Sequence, residues 1–184
     1  AELAFVSGEG CWLVTDDGSR YLDCASGIAV NTLGHSHPGL VAALREQAGK
    51  LWHTSNLYRI PGQERVAAKL AALTGLDQVY FCNSGAEANE SAVKIARRAM
   101  HERGEPDRMT ILCATGSFHG RTLGMLAATD KLANRTGFGP MPDGFEHVAF
   151  GNLNALRDRM GPHVAAVMIE PVQGEGGARD AQDE

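Results

Sequence analysis

The chain has 184 residues, a formal net charge of −5, and 43% hydrophobic against 21% charged residues. That is long enough to bury a sizeable core, and the balance is that of an ordinary globular protein. The acidic balance, with Arg97-Arg98 the tightest basic cluster, excludes the electrostatic signature of a nucleic-acid or anionic-membrane binder, and no apolar run reaches membrane-spanning length.

In chain order, residues 11–14 and 20–24 are β-prone runs joined by Thr15-Asp16-Asp17-Gly18-Ser19, whose Asp-Gly predicts a hairpin turn. Residues 25–37 are glycine-rich and polar and read as irregular. Pro38 suits the first position of a helix to about Leu51, with Leu40, Val41, Leu44 and Leu51 on its buried side. A second helix is predicted over 61–74, with Gly75 as its stop. From there strands at 78–82, 109–114, 146–150 and 164–170 alternate with helices at 86–103 and 153–160, and a long loop with a short helix follows 114. The helix at 86–103 carries an apolar stripe, Ala88, Ala92, Ile95, Ala96 and Ala99, and a Glu90–Lys94 pair. Such alternation predicts an α/β fold: a mostly parallel sheet with helices on both faces. The expected division is a small N-terminal α+β region over 1–60 and the first part of a larger domain over 61–184. Residues 177–184 are polar and carry no structural stop, so the chain is expected to be cut short of a complete sheet.

Cys11, Cys24, Cys82 and Cys113 show no metal-ligand spacing, and three lie in apolar strand-like runs. Reduced, buried thiols and a cytoplasmic location are expected, and the first residues show no signal-peptide pattern. His35-Ser36-His37 has no third ligand at recognisable spacing, so no metal site is assigned.

Three segments carry chemistry. Asn83-Ser84-Gly85-Ala86-Glu87 follows a predicted strand and opens a predicted helix. Ser84 and Glu87 make a capping box, while Gly85 and Ala86 leave backbone N–H groups uncovered where an oxyanion can approach. Phe118-His119-Gly120-Arg121 sets an aromatic ring, an imidazole and a guanidinium around a glycine, suited to stacking on a flat heteroaromatic ligand and gripping a carboxylate. In Glu170-Pro171-Val172-Gln173-Gly174-Glu175-Gly176-Gly177, Glu170 ends an apolar strand and must be paired or belong to a site. Glu175, among glycines, is able to reach a cationic partner. Three polar loops after strands outline a ligand crevice.

These segments, together with Tyr21-Leu22-Asp23, Gly34-His35-Ser36-His37-Pro38 and Leu51-Trp52-His53-Thr54-Ser55-Asn56-Leu57-Tyr58, resemble the first part of a class III pyridoxal-phosphate-dependent aminotransferase, colinear from Gly8 to Gly177. The likeness is to the branch acting on acetylornithine and succinylornithine. It implies a fold-type I cofactor domain, a cytoplasmic homodimer, a place in amino-acid metabolism such as arginine biosynthesis, and transfer of the δ-amino group of an N-acylornithine to 2-oxoglutarate. Small-molecule substrates are implied, with neither nucleic acid nor membrane as partner. The resemblance further implies that Ser84, Gly85 and Ala86 hold the cofactor phosphate, that Phe118 stacks on its ring with His119 beside it, and that Glu170 belongs to its hydrogen-bonded surroundings. Arg121 would bind a substrate carboxylate, and Glu175 resembles a gating carboxylate over a substrate-binding arginine.

Members carry further on an aspartate for the pyridine nitrogen, a cofactor-bonding lysine, a phosphate-binding threonine and the gated arginine. Lys50, Lys69, Lys94 and Lys131 match none of these, so no catalytic residue is assigned and the chain as written is not expected to transaminate, in contrast to its parent. Two alternatives stay open: a non-catalytic fragment keeping only the phosphate-binding loop, and another class III reaction, such as that of a 4-aminobutyrate or ornithine transaminase.

Overall fold

Asp17-Gly18 turns the chain as its residue types require. In the computed structural model, which describes residues 3–181, β1 (Phe5–Glu9), β2 (Trp12–Thr15) and β3 (Arg20–Leu22) form an antiparallel sheet in that order. Gly18 takes the left-handed φ of +85° that the turn needs, and its N–H donates to the Thr15 carbonyl at 3.0 Å. β1 was not expected from the sequence. Past β3, the Asp23 carboxylate accepts the Ala25 and Ser26 N–H groups, each at 2.9 Å, and lies 2.7 Å from His35 Nε2. These bonds fasten a left-handed turn, α1 (Ser26–Ala29), through an otherwise irregular segment. α2 (Pro38–Ala48) and α3 (Pro61–Thr74) both start on proline, and Gly75 ends α3 at φ +71°. The expected buried face of α2 is corrected: Leu40, Leu44 and Leu51 are exposed and Val41 is half-buried. Helical period marks a face suited to cover, but nothing among the described residues covers it.

The described residues divide into two units at Leu76/Asp77, with α3 in the first. In the second, residues 78–82 form no strand, and Tyr80 is 68% exposed. The run is β-prone, but a strand exists only through a ladder to a neighbour; among the described residues this one has none. α4 (Gly85–Glu102) follows, then β4 (Thr110–Ala114), α5 (Leu123–Ala128), α6 (Leu132–Arg135), β5 (Phe145–Val148), α7 (Leu153–Arg159), β6 (Val164–Met168), and the short antiparallel pair β7 (Val172–Gln173) and β8 (Arg179–Asp180). β5, β4 and β6 form a parallel sheet in that order, pairing Ile111 with Phe145 and with Ala166.

Side chains alternate across the sheet. Ile111 and Cys113, flanked by Phe145 and Met168, pack against Val93 of α4 and Met125 and Ala128 of α5. On the opposite face Ala114, Val148 and Val167 line a cavity with Leu153 and Leu156 of α7. Helices therefore lie on both faces, as the alternation predicted. Two details differ. The residues of α4 turned inward are Ala86, Val93, Ala96 and Met100, while Ala88, Ala92 and Ile95 of the expected stripe are exposed. An alanine-rich helix has two apolar flanks, and burying Val93 and Met100 gains more area than burying alanines. Glu90 bonds Thr122 rather than Lys94, and the ion pair on this helix is Arg98–Glu102. Also, β6 lies at the sheet edge and is only partly buried, whereas central β4 is the buried strand. Among the described residues no helix is long and apolar enough to cross a membrane.

The thiols divide differently from the expectation. All four are free, but only Cys113 is buried; Cys11, Cys24 and Cys82 flank strands or lie in the unpaired run and are exposed. Burial pushes the Cys113 thiol up to about 12. At pH 8, iodoacetamide is therefore expected to alkylate Cys11, Cys24 and Cys82 and to reach Cys113 only in denaturant, as peptide mass mapping would show. Native labelling of Cys113 at a comparable rate would contradict the buried β4.

Candidate functional site

Ser84 adopts extended backbone and caps α4, its hydroxyl accepting the Glu87 N–H at 3.2 Å. The Glu87 carboxylate reaches back past Ser84 to accept the Asn83 N–H at 2.6 Å, and this bond foremost holds it below the usual carboxylate range. Glu87 is thereby tied to Asn83, the residue before the cap. The Gly85 and Ala86 N–H groups have no intrahelical acceptor, and nothing lies within 4 Å of where a Gly85 side chain would stand. An open pair of donors at the positive end of an 18-residue helix is a cradle for an anion.

β4 delivers the second loop onto this helix end. The Gly120 backbone, at φ +132°, lies so close that a methyl group there would stand 2.8 Å from Ala86 Cβ. Asn89 of α4 clamps the same loop, its side-chain amide donating to the His119 carbonyl at 2.8 Å. The His119 N–H donates to the Thr129 hydroxyl at 3.2 Å, and the Phe118 N–H to the Glu170 carboxylate at 3.0 Å. Glu170 thus has the partner its position demanded. The Arg121 guanidinium is exposed and lies over the Phe118 ring, 5.5 Å from its centroid.

The third loop rests on the second. Gln173 is fully buried and donates through Nε2 to the Thr115 carbonyl at 2.8 Å. The Gly116 N–H donates to Asp130 at 2.8 Å, and Lys131 Nζ lies 3.3 Å from the Glu175 carboxylate. Lys131 is thus a cationic neighbour of Glu175 in this structure, both side chains being exposed.

His119 is 4% exposed. Burial pushes its pKa below the ordinary value, with Glu170 pulling the other way and His147 adding to the depression. The ring is neutral near pH 7, and its Nε2 is buried with no partner among the described residues, as is Gln173 Oε1. Buried polar atoms without partners are expensive, and they are groups that a ligand or ordered water would satisfy. The unfolded chain protonates this histidine at about pH 6.5 and the native chain only lower. Its contribution to stability is therefore complete above pH 6.5 and is lost as pH falls from there through the native value. Chemical denaturation at pH 7.5 and 5.5 is expected to show a smaller acid loss in His119→Gln than in the wild type. Equal losses would place the proton uptake elsewhere.

The structure thus brings Ala86 against Gly120 and Phe118 against Glu170, with Arg121 over Phe118 and Glu175 on the adjoining loop. Sequence reasoning missed Asn89, Thr129, Asp130, Lys131 and Gln173. The available signal was the polar run 129–131 directly after a wholly apolar helix. His35, bonded to Asp23, belongs to the first unit, and among the described residues no group of three or more His, Cys, Asp or Glu is placed to hold a metal ion.

The family model for class-III aminotransferases matches residues 1–184. Acetylornithine aminotransferase of Mesorhizobium japonicum is 56% identical over 179 residues, 97% of this chain and 45% of that protein. The enzyme of the same name from Rhodobacter capsulatus is 55% identical over 185 residues, 100% of this chain and 47% of that protein. Among solved structures, N-acetylornithine aminotransferase of Stenotrophomonas maltophilia superposes with a TM-score of 0.82 at 38% identity, covering 98% of this chain and 44% of that one. Ornithine aminotransferase of Toxoplasma gondii gives 0.94 at 32% identity, covering 99% and 44%. The chain spans about half the length of the curated relatives it matches.

Proposed function

The chain belongs to the class-III aminotransferases, a pyridoxal-phosphate-dependent family of fold type I, and on that basis we propose that it contributes to an N-acylornithine aminotransferase. The reaction moves the δ-amino group of N2-acetylornithine, or of its succinyl counterpart, to 2-oxoglutarate. The observation that carries the reading is the open Gly85–Ala86 cradle under the Gly120 loop. Those residues fit the cofactor: a phosphate meets the α4 N-terminus, and a flat ring meets Phe118.

Bound pyridoxal phosphate supplies the electron sink that labilises bonds at the amino-bearing carbon. The chain's own residues bind and orient. Ser84 shapes the helix end while the Gly85 and Ala86 N–H groups hold the phosphate oxygens. Phe118 stacks, and Glu170, steadied by the Phe118 N–H, fixes the polar edge of the site. His119 offers a neutral ring nitrogen for one hydrogen bond, Arg121 a planar fork for a substrate carboxylate, and Glu175 a carboxylate on the crevice wall. A cytoplasmic homodimer taking small-molecule substrates in arginine biosynthesis completes the reading. The relatives quoted above are all named as aminotransferases, which disfavours a scaffold without chemistry.

The test is glutamate formation from 2-oxoglutarate by the cofactor-loaded full-length parent to which this chain contributes, with N-acetylornithine, N-succinylornithine, ornithine and 4-aminobutyrate as competing donors. Acylornithines are expected to lead in kcat/KM by at least about tenfold, the discrimination one well-matched pocket supplies. Preference for ornithine or 4-aminobutyrate, or no turnover with any donor, would sink the assignment.

A further inference from the structure

Helical spacing puts Ala86, Asn89 and Glu90 of α4 on one face, and each meets a different point of the loop between β4 and α5. Ala86 takes the close approach of Gly120. The Asn89 amide donates to the His119 carbonyl at 2.8 Å, and the Glu90 carboxylate accepts the Thr122 hydroxyl. A methyl group at Gly124 would stand 2.6 Å from Glu90 Oε1 and 2.8 Å from Oε2, so the carboxylate is seated against the chain just past Thr122.

Arg121 lies between these holds. Its guanidinium sits over the Phe118 ring, and Arg121, Thr122 and Leu123 are all exposed; full burial begins only at Met125. The His119 side of the stretch is fastened by Asn89, by Thr129 and by the bond from Phe118 to Glu170. On the other side the Thr122 hydroxyl ties the chain to α4, and the same hydroxyl caps α5 by accepting the Met125 N–H at 3.4 Å.

A planar fork grips a carboxylate at two points only when it is aimed, and slack backbone on either side would leave it unaimed. α4 carries the anion cradle in its first turn, and Glu90 lies about 6 Å of helix beyond Ala86. One rigid helix therefore sets the spacing between the cofactor phosphate and the residue that meets the substrate carboxylate. We propose that Glu90 is a positioning residue for substrate recognition, holding Arg121 in place through Thr122. The inference rests on the proposed assignment of Arg121 to a substrate carboxylate. The cradle at Gly85 and Ala86 does not depend on it.

The test uses the cofactor-loaded full-length parent and its Glu90→Ala, Glu90→Gln, Thr122→Val and Arg121→Leu variants. It reads steady-state kinetics with N-acetylornithine and 2-oxoglutarate, and calorimetric binding of glutarate, a dicarboxylate that cannot react. Binding of pyridoxamine 5′-phosphate to the cofactor-free protein reads the cradle separately. Glu90→Ala is expected to raise KM for both substrates and Kd for glutarate about two- to tenfold, the contribution of one hydrogen bond. Its Kd for pyridoxamine 5′-phosphate stays unchanged. Thr122→Val loses the bond from the other side and gives the same shift, whereas Glu90→Gln keeps an acceptor oxygen and recovers most of the loss. In the Arg121→Leu background Glu90→Ala has no further effect on glutarate. Equal weakening of glutarate and pyridoxamine 5′-phosphate, a glutamine variant as poor as the alanine, or an undiminished effect in Arg121→Leu overturns the proposal. A wild type that turns over no acylornithine, or an Arg121→Leu variant like wild type, overturns the functional reading of Arg121 and the inference with it. A deficient Arg121→Leu beside a Glu90→Ala indistinguishable from wild type overturns the inference alone.

Discussion

Replacing Gly120 by alanine is expected to lower the melting temperature by roughly 8–20 °C and to weaken pyridoxamine 5′-phosphate binding at least about tenfold. The added methyl would stand 2.8 Å from Ala86 Cβ, 3.1 Å from Ala86 Cα and 3.2 Å from Met125 Cβ. Two of those atoms belong to the helix turn that carries the anion cradle, so relief must come from moving the loop or the helix end. The backbone at φ +132° is also one that L side chains rarely adopt. Strain of that kind costs about 1–3 kcal/mol, and overpacking a similar amount. The double variant Gly120→Ala/Ala86→Gly separates the two, because it removes the 2.8 Å encounter and keeps the backbone strain. Partial recovery of binding is expected, with the melting temperature still below wild type. Calorimetry against pyridoxamine 5′-phosphate, with pyridoxamine as the phosphate-free control, reads the cradle directly. A Gly120→Ala protein that melts and binds like wild type would show that the loop does not rest on α4.

On the proposed function, Arg121→Leu in the full-length parent is expected to reduce kcat/KM for both substrates by about 10- to 150-fold, the worth of charge-assisted hydrogen bonds to a carboxylate. Its melting temperature should be unchanged, since the guanidinium is exposed and its recorded partner is the Phe118 ring. Arg121→Lys should recover little, because an ammonium reproduces the charge but not the planar two-point fork. Steady-state kinetics beside thermal melts decide the matter. A leucine variant with near-normal kcat/KM removes Arg121 from substrate binding, and one that melts far lower makes its role structural.

The sequence and the structure agree most closely where the signal is local. Asp17-Gly18, Pro38, Pro61, Gly75 and Ser84 act through their own backbone preferences or a hydrogen bond a few residues away, and each turn, helix start or stop lies where its residue type put it. The segments at 84–86, 118–121 and 170–175 stand out in the sequence for a related reason: glycine and polar residues directly behind apolar runs serve no core.

Errors arose wherever a choice depended on a distant partner. Residues 78–82 are as β-prone as β4, yet β4 lies between two neighbours and the earlier run has none among the described residues. Ala88 and Ala92 are as apolar as Ala86 and Ala96, and the flank that faces the sheet was decided by where Val93 and Met100 bury most area. Cys11, Cys24 and Cys82 sit in apolar runs, but those runs lie at exposed margins.

What the sequence by itself determined is therefore the order and type of most elements and the α/β class, which follow from short-range sterics, capping and a hydrophobic period, and the family, which its motifs carry. Only the tertiary structure decided that Asn89 clamps His119, that Phe118 holds Glu170, that Thr129 and Asp130 fasten the β4–α5 loop, and that Lys131 meets Glu175 on the loop after β7. Those bonds join residues ten to more than fifty positions apart. A hydrogen bond of that separation is set by packing the intervening elements, and no local pattern encodes it.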